Sequence, residues 1–202
     1  SFTTNVANQA ITLDNTSNVF TGAVSMNTTG SSGNATLVSS NAVTLSTSTV
    51  GGNLDVTVGN SLNVTGAGSA GGSIILLADD DIIFTTAGDL TATTGITVTA
   101  DADSSANGSG GALTMVDGTV FNAGTGTLAL SADEDITLGL VRTANSSDTA
   151  VTLTSTSGGL VDGDTVLPPT TTQGSGANGA DAWLDVDAAN GRLVAKFATG
   201  FG

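Results

Sequence analysis

The sequence predicts an all-β fold, a parallel β-helix (solenoid) of about 20 residues per coil. One observation is a recurring unit. Residues 73–84, SIILLADDDIIF, place Ile74 and Leu76 on one face and Ile75 and Leu77 on the other. They bend at Ala78-Asp79-Asp80-Asp81 and return to the first face with Ile82 and Phe84. Residues 127–138, TLALSADEDITL, repeat this grammar, with Leu128, Leu130, Ala132, Asp133, Asp135 and Ile136 in matching places. Register is the next. Val43, Leu62 and Ile82 form one column and Leu45, Val64 and Phe84 another, at steps of 19 and 20 residues. A separate track, Ala35/Leu54/Ile74 with Leu37/Val56/Leu76, keeps the same steps. Composition completes the case. Thr, Ser, Gly, Ala, Val and Asn dominate, and Glu134 is the one Glu, which favours short strands and tight turns over helices.

Taken in order, the chain divides into strands that pair with their equivalents one coil away, rising about 4.8 Å per coil. Inward positions carry Val, Leu, Ile or Phe. Outward ones carry Thr44, Asn63, Thr65, Thr97 and Thr99. Gly and Asn fill the corners, where positive φ is needed. The low aromatic content, 3 %, fits a narrow core filled by Ala, Val and Thr. About nine coils, a rod of very roughly 40 Å, are expected. Residues 1–165 read as coils, with loops near 104–111 and 143–149 where register slips. Residues 166–180, containing Pro168-Pro169 and GSGANGA, read as the longest excursion. Residues 181–202 resume the strand pattern at Trp183-Leu184-Asp185-Val186 and at residues 192–197. Both ends read as cut from a longer repetitive chain.

Charge bounds the partners. Eighteen acidic residues against 3 basic give a net charge of −15, which argues against nucleic acid and anionic membrane surfaces. No apolar run approaches the ~18 residues of a membrane-spanning helix. All three basic residues, Arg142, Arg192 and Lys196, lie in the final third. Without Cys or His, disulfides and Cys/His metal sites are excluded.

The same absences narrow the chemistry. General acid–base catalysis falls to Asp, for instance a carboxylate pair made by Asp79 and Asp81, and basic groups to hold an acidic sugar are missing beside it. The expectation is a protein that is not an enzyme. Metal binding is the sharper possibility. Asp79-Asp80-Asp81, Asp101 with Asp103, and Asp133-Glu134-Asp135 supply oxygen ligands suited to Ca²⁺, and stacked corners line one edge of a solenoid. Neither the calcium-binding nonapeptide repeat nor an EF-hand loop is present. The alternative is that these carboxylates end strands, bond to turn amides and keep a β-rod soluble.

The repeats themselves have a familiar order. Residues 10–30 (AITLDNTSNVFTGAVSMNTTG), 41–58 (NAVTLSTSTVGGNLDVTV) and 110–139 (GGALTMVDGTVFNAGTGTLALSADEDITLG) resemble the repeats of filamentous-haemagglutinin-like giant bacterial exoproteins, and RLVAKFATGFG resembles the segment that closes such a module. The resemblance implies a right-handed β-helix, secreted across the outer membrane and displayed as a fibre for adhesion or cell-cell contact. It implies a structural shaft whose partners are neighbouring copies or repeats stacked head to tail. A glycan or protein on a host or neighbouring cell is then a further partner. Three rival readings stand beside it: a glycan- or protein-binding module using residues 166–180, a Ca²⁺-stiffened solenoid, and a carbohydrate-active β-helix.

Overall fold

The computed structural model describes residues 1–104, 110–163 and 185–199. They form a right-handed parallel β-solenoid of about 7 turns and ~20 residues per turn, built from three stacked parallel sheets. The first sheet stacks Phe2–Thr3, Met26–Asn27, Ser48–Val50, Gly68–Ala70, Leu90–Ala92, Val120–Asn122, Leu140–Arg142 and Val186–Asp187. The second stacks Ile11–Leu13, Ala35–Ser39, Leu54–Val58, Ser73–Ala78, Gly95–Ala100, Thr127–Ala132, Val151–Ser155 and Leu193–Lys196. The third stacks Val43–Leu45, Leu62–Val64, Ile82–Phe84, Leu113–Met115, Ile136–Leu138 and Leu160–Asp162. Below its first strand, Val24 bridges Leu45.

Both tracks read from the sequence are present in register. Ala35, Leu54 and Ile74 pair in succession in the second sheet, as do Leu37, Val56 and Leu76. Val43, Leu62 and Ile82 do so in the third, with Leu45, Val64 and Phe84 beside them. All twelve are buried. The repeated units at 73–84 and 127–138 each cross from the second sheet to the third, two coils apart.

Three expectations change. The first sheet falls on neither track and is a third wall of the rod. The expected nine coils become about 7. Ile11 pairs with Ala35, Ile96 with Leu128 and Val151 with Leu193, so these coils take 24, 32 and 42 residues rather than 20. The core also admits aromatics. Phe84 and Phe121 are fully buried, edge to face, with ring centroids 4.6 Å apart. In the first sheet the bulk that Gly68 admits is Leu90, its partner one coil on. A Cβ at Gly68 would already stand 2.9 Å from Leu90 Cδ2.

Residues 143–149 are described and carry no strand; Asn145 Oδ1 accepts from Ser147 N at 2.8 Å there. Most of the 104–111 loop, the whole excursion at 166–180, and Trp183-Leu184 lie outside the described residues.

Among the described residues, the buried Ser and Thr side chains are few and bonded. Ser48 Oγ accepts from Met26 N at 3.0 Å and donates to Ser46 O. Thr119 and Ser155 donate to backbone carbonyls at Val116 and Glu134. Following the third sheet, Ser46, Thr65 and Thr85 each donate a hydroxyl to the carbonyl of the coil below, at Val24, Leu45 and Val64. Such pairing matters because a buried polar group left without a partner costs about 1–3 kcal/mol.

Candidate functional site: the acidic corners

The corner between the second and third sheets gathers the acidic residues singled out by sequence. The chain turns there because an alternating strand must leave one sheet and enter another within a few residues. Its amides, no longer facing a strand, need other acceptors. Asp79, Asp80 and Asp81 occupy this corner after Ser73–Ala78, Asp101 and Asp103 after Gly95–Ala100, and Asp133, Glu134 and Asp135 after Thr127–Ala132. The sequence placed all eight on one edge, and successive coils bring them to one edge.

What they do there is largely backbone chemistry. Asp81 Oδ1 accepts from Gly111 N at 2.9 Å and Ala112 N at 3.0 Å, both on the next coil. Asp135 Oδ1 accepts from Gly159 N at 2.8 Å, again one coil on. Asp133 accepts from Thr156 Oγ1 and, at 3.1 Å, from Ser157 Oγ. Asp80 Oδ2 accepts from Ser61 Oγ at 3.4 Å, one coil back. Glu134 N donates to Gly111 O at 3.1 Å, and its carbonyl accepts from Ser155 Oγ at 2.7 Å.

The pattern extends to the corner between the first and second sheets, where the sequence had marked only turn residues. Asn34 Oδ1 accepts from Asn53 N at 2.8 Å, and Asn53 Oδ1 accepts from Ser73 N at 3.0 Å. Asp89 Oδ1, where the third sheet turns into the first, takes Val120 N at 2.8 Å, and Asn27 Oδ1, on the first-sheet strand Met26–Asn27, takes Thr49 N at 3.2 Å. A corner oxygen on one coil therefore receives the amide of the next. Asn and Asp at corners one period apart were the available signal.

Asp79, Asp101, Asp103 and Asp133 are the like-charged part of the edge. Desolvation raises the Asp101 carboxyl above its ordinary value, and a hydrogen bond with Asp103 and the charges of Asp103, Asp133 and Asp79 push the same way. Asp79 is raised by desolvation and then by Asp103. Asp101 sits at φ 56, a left-handed conformation that Asp tolerates. Beside them runs a cleft of about 340 Å³, lined by Thr99, Asp101, Ser131, Asp133 and Thr156 among others. Among the described residues, no group of three or more acidic side chains is placed to hold a metal ion.

Two features escaped the sequence reading. Asp55, outward on Leu54–Val58, has an Oδ1 with no exposed surface and no hydrogen-bond partner among the described residues, and burial raises its carboxyl. Arg142 lines a second cleft, of about 410 Å³, with Asn122, Thr125 and Asp187, and its Nε is likewise buried without a partner. Neither carries a sequence signal, since both look like ordinary outward polar residues of a strand. Comparison with family models, with curated proteins and with solved structures gives no match. The parallel β-solenoid is what the geometry itself establishes.

Proposed function

We propose that this chain is a structural segment of an extracellular bacterial filament or adhesin shaft, a stiff stacked-coil spacer serving surface attachment or cell-cell contact. One observation supports this most: the unbroken stack of three parallel sheets, with inward columns running from coil to coil. In such a stack each coil contacts only its neighbours, so stability and stiffness sum along the axis. The role is mechanical rather than catalytic. Likeness of the repeats to filamentous-haemagglutinin-like exoproteins supports the bacterial surface and secretion across the outer membrane. Head-to-tail stacking of further coils or copies suits open strand edges, whose unpaired amides and carbonyls template another strand.

The acidic edge belongs to this reading as an acceptor strip. Oxygens of Asp81, Asp133 and Asp135 already hold protein donors, which favours corner stapling over a Ca²⁺ cage. Among the described residues no helix is long and apolar enough to cross a membrane.

Immunogold labelling of source cells with antibody to this chain tests the proposal. Gold along fibres on intact cells is expected. Label that appears only after permeabilisation would overturn it.

A further inference from the structure

The outward face of the second sheet carries three features that bear on association. Ile75 and Leu77 stand side by side on it, pointing away from the core. Asp55, on the neighbouring strand, has the partnerless oxygen described above. Lys196, exposed, lies on the same face at the far end of the sheet, on the strand Leu193–Lys196. Successive pairings place Leu77 in a column with Thr57, Thr99, Ser131, Thr154 and Lys196. Ile75 stands in the column of Asp55 and Thr152.

We propose that two copies of this chain pair through this face with their rods antiparallel, Lys196 of each meeting Asp55 of the other. Asp55 lies on the third strand of the eight-stranded sheet and Lys196 on the eighth. A two-fold axis parallel to the strands, midway between the fifth and sixth, lays the third strand over the eighth and the fourth over the seventh. Strand direction is preserved by that rotation, so each column faces itself. Ile75 then meets the Thr152 methyl and Leu77 that of Thr154. Lys196 stands over Thr57, two residues or roughly 7 Å along the strand from Asp55, within reach of a four-carbon stem.

Charge selects this arrangement over its rival. Parallel rods would set the third strand over the third and bring each Asp55 near its own image. The antiparallel pairing instead brings a cation to each Asp55 carboxylate, one oxygen of which lacks a donor. Facing sheets pack about 10 Å apart, and six overlapped strands cover about 500 Å² per copy, roughly 1,000 Å² in total. That is the lower bound for a specific interface, so the dimer is weak. An isologous two-fold contact closes on itself and stops at two copies. The proposal goes beyond the shaft reading and does not rest on it.

Sedimentation equilibrium of the 202-residue chain over a wide concentration range is the test. A monomer–dimer equilibrium is expected. Asp55→Lys and Lys196→Asp should each raise the dimer dissociation constant about tenfold or more, and combining them should restore it. Leu77→Lys, an outward change, should abolish pairing while leaving the melting curve of the monomer in place. A monomer at every concentration overturns the proposal. So does association that none of these variants changes, which would mark end-to-end stacking and leave the shaft reading standing.

Discussion

At the scale of single residues, the polar side chains that matter are those that reach one coil on. Asn53 illustrates the arrangement: its amide is received by Asn34 and its Oδ1 receives Ser73. Asn53→Ala leaves the Ser73 amide without that acceptor, and should lower the unfolding free energy by about 1–2 kcal/mol in urea titration. Asp81→Ala removes an acceptor shared by two amides and should cost about as much or more. The carboxylates also set a pH dependence. Asp55, Asp79, Asp101 and Asp185 all have carboxyls raised above their ordinary value, burial being the first cause in each. A raised carboxyl binds its proton more tightly in the folded chain than in the unfolded one. Stability is therefore greatest below the unfolded value, about pH 4, and is lost as pH rises through the folded values. Melting temperature should be higher near pH 4 than at neutral pH, and Asp101→Asn should narrow the difference. These roles were half legible beforehand. Asp and Asn at corners are visible in a sequence, whereas the amide each one accepts lies a full coil away and depends on how that coil closes.

At the scale of elements, strands of different length left signals of different strength. Those of the second sheet reach six residues, as in Ser73–Ala78, so alternation shows over three inward positions. Third-sheet strands have three residues, but in all except Leu160–Asp162 both inward positions are large and apolar, as in Leu62–Val64. The first sheet has equally short strands whose inward column runs Ser48, Gly68, Leu90, Phe121 and Val141. A column that mixes hydroxyl, hydrogen, aliphatic and aromatic groups has no hydrophobic period to find. It works because neighbours compensate in volume, Gly68 making room for Leu90 one coil on. Register can be checked by adjacent residues of opposite orientation. Ile74→Ala should cost about 2–5 kcal/mol by opening the core, and Ile75→Ala, outward on the same strand, under about 1 kcal/mol. Glycine has a separate duty where the first sheet turns into the second. A Cβ at Gly51 would stand 1.6 Å from Gly30 O, and one at Gly71 2.2 Å from Gly51 O. Both glycines are there because the coils approach closely, and Gly71→Ala should lower stability by about 2 kcal/mol or more.

At the scale of the whole molecule, fold and function separate in what a sequence can say. The parallel solenoid and two of its three walls follow from columns such as Ala35, Leu54 and Ile74, because period and hydrophobic alternation are sufficient to place a strand. The number of coils does not follow, because the coils that join Ile96 to Leu128 and Val151 to Leu193 carry added chain that breaks the count. The acidic edge was legible as a line of carboxylates and not as a line of acceptors. If stapling is its work, chelator should leave the melting temperature unchanged, and added Ca²⁺ should not raise it; a rise of several degrees would make the corners cation sites. Stiffness is the property on which the shaft reading depends. The outward third-sheet column Thr44, Asn63, Ile83, Thr114, Thr137 and Val161 crosses five strand spacings. The most direct measurement is the pulsed electron–electron distance between nitroxides attached at Thr44→Cys and Val161→Cys, in a chain with no other cysteine. A single narrow distribution centred at about 24 Å is the result a rigid in-register stack gives. A broad distribution, or one centred far beyond that distance, would contradict it.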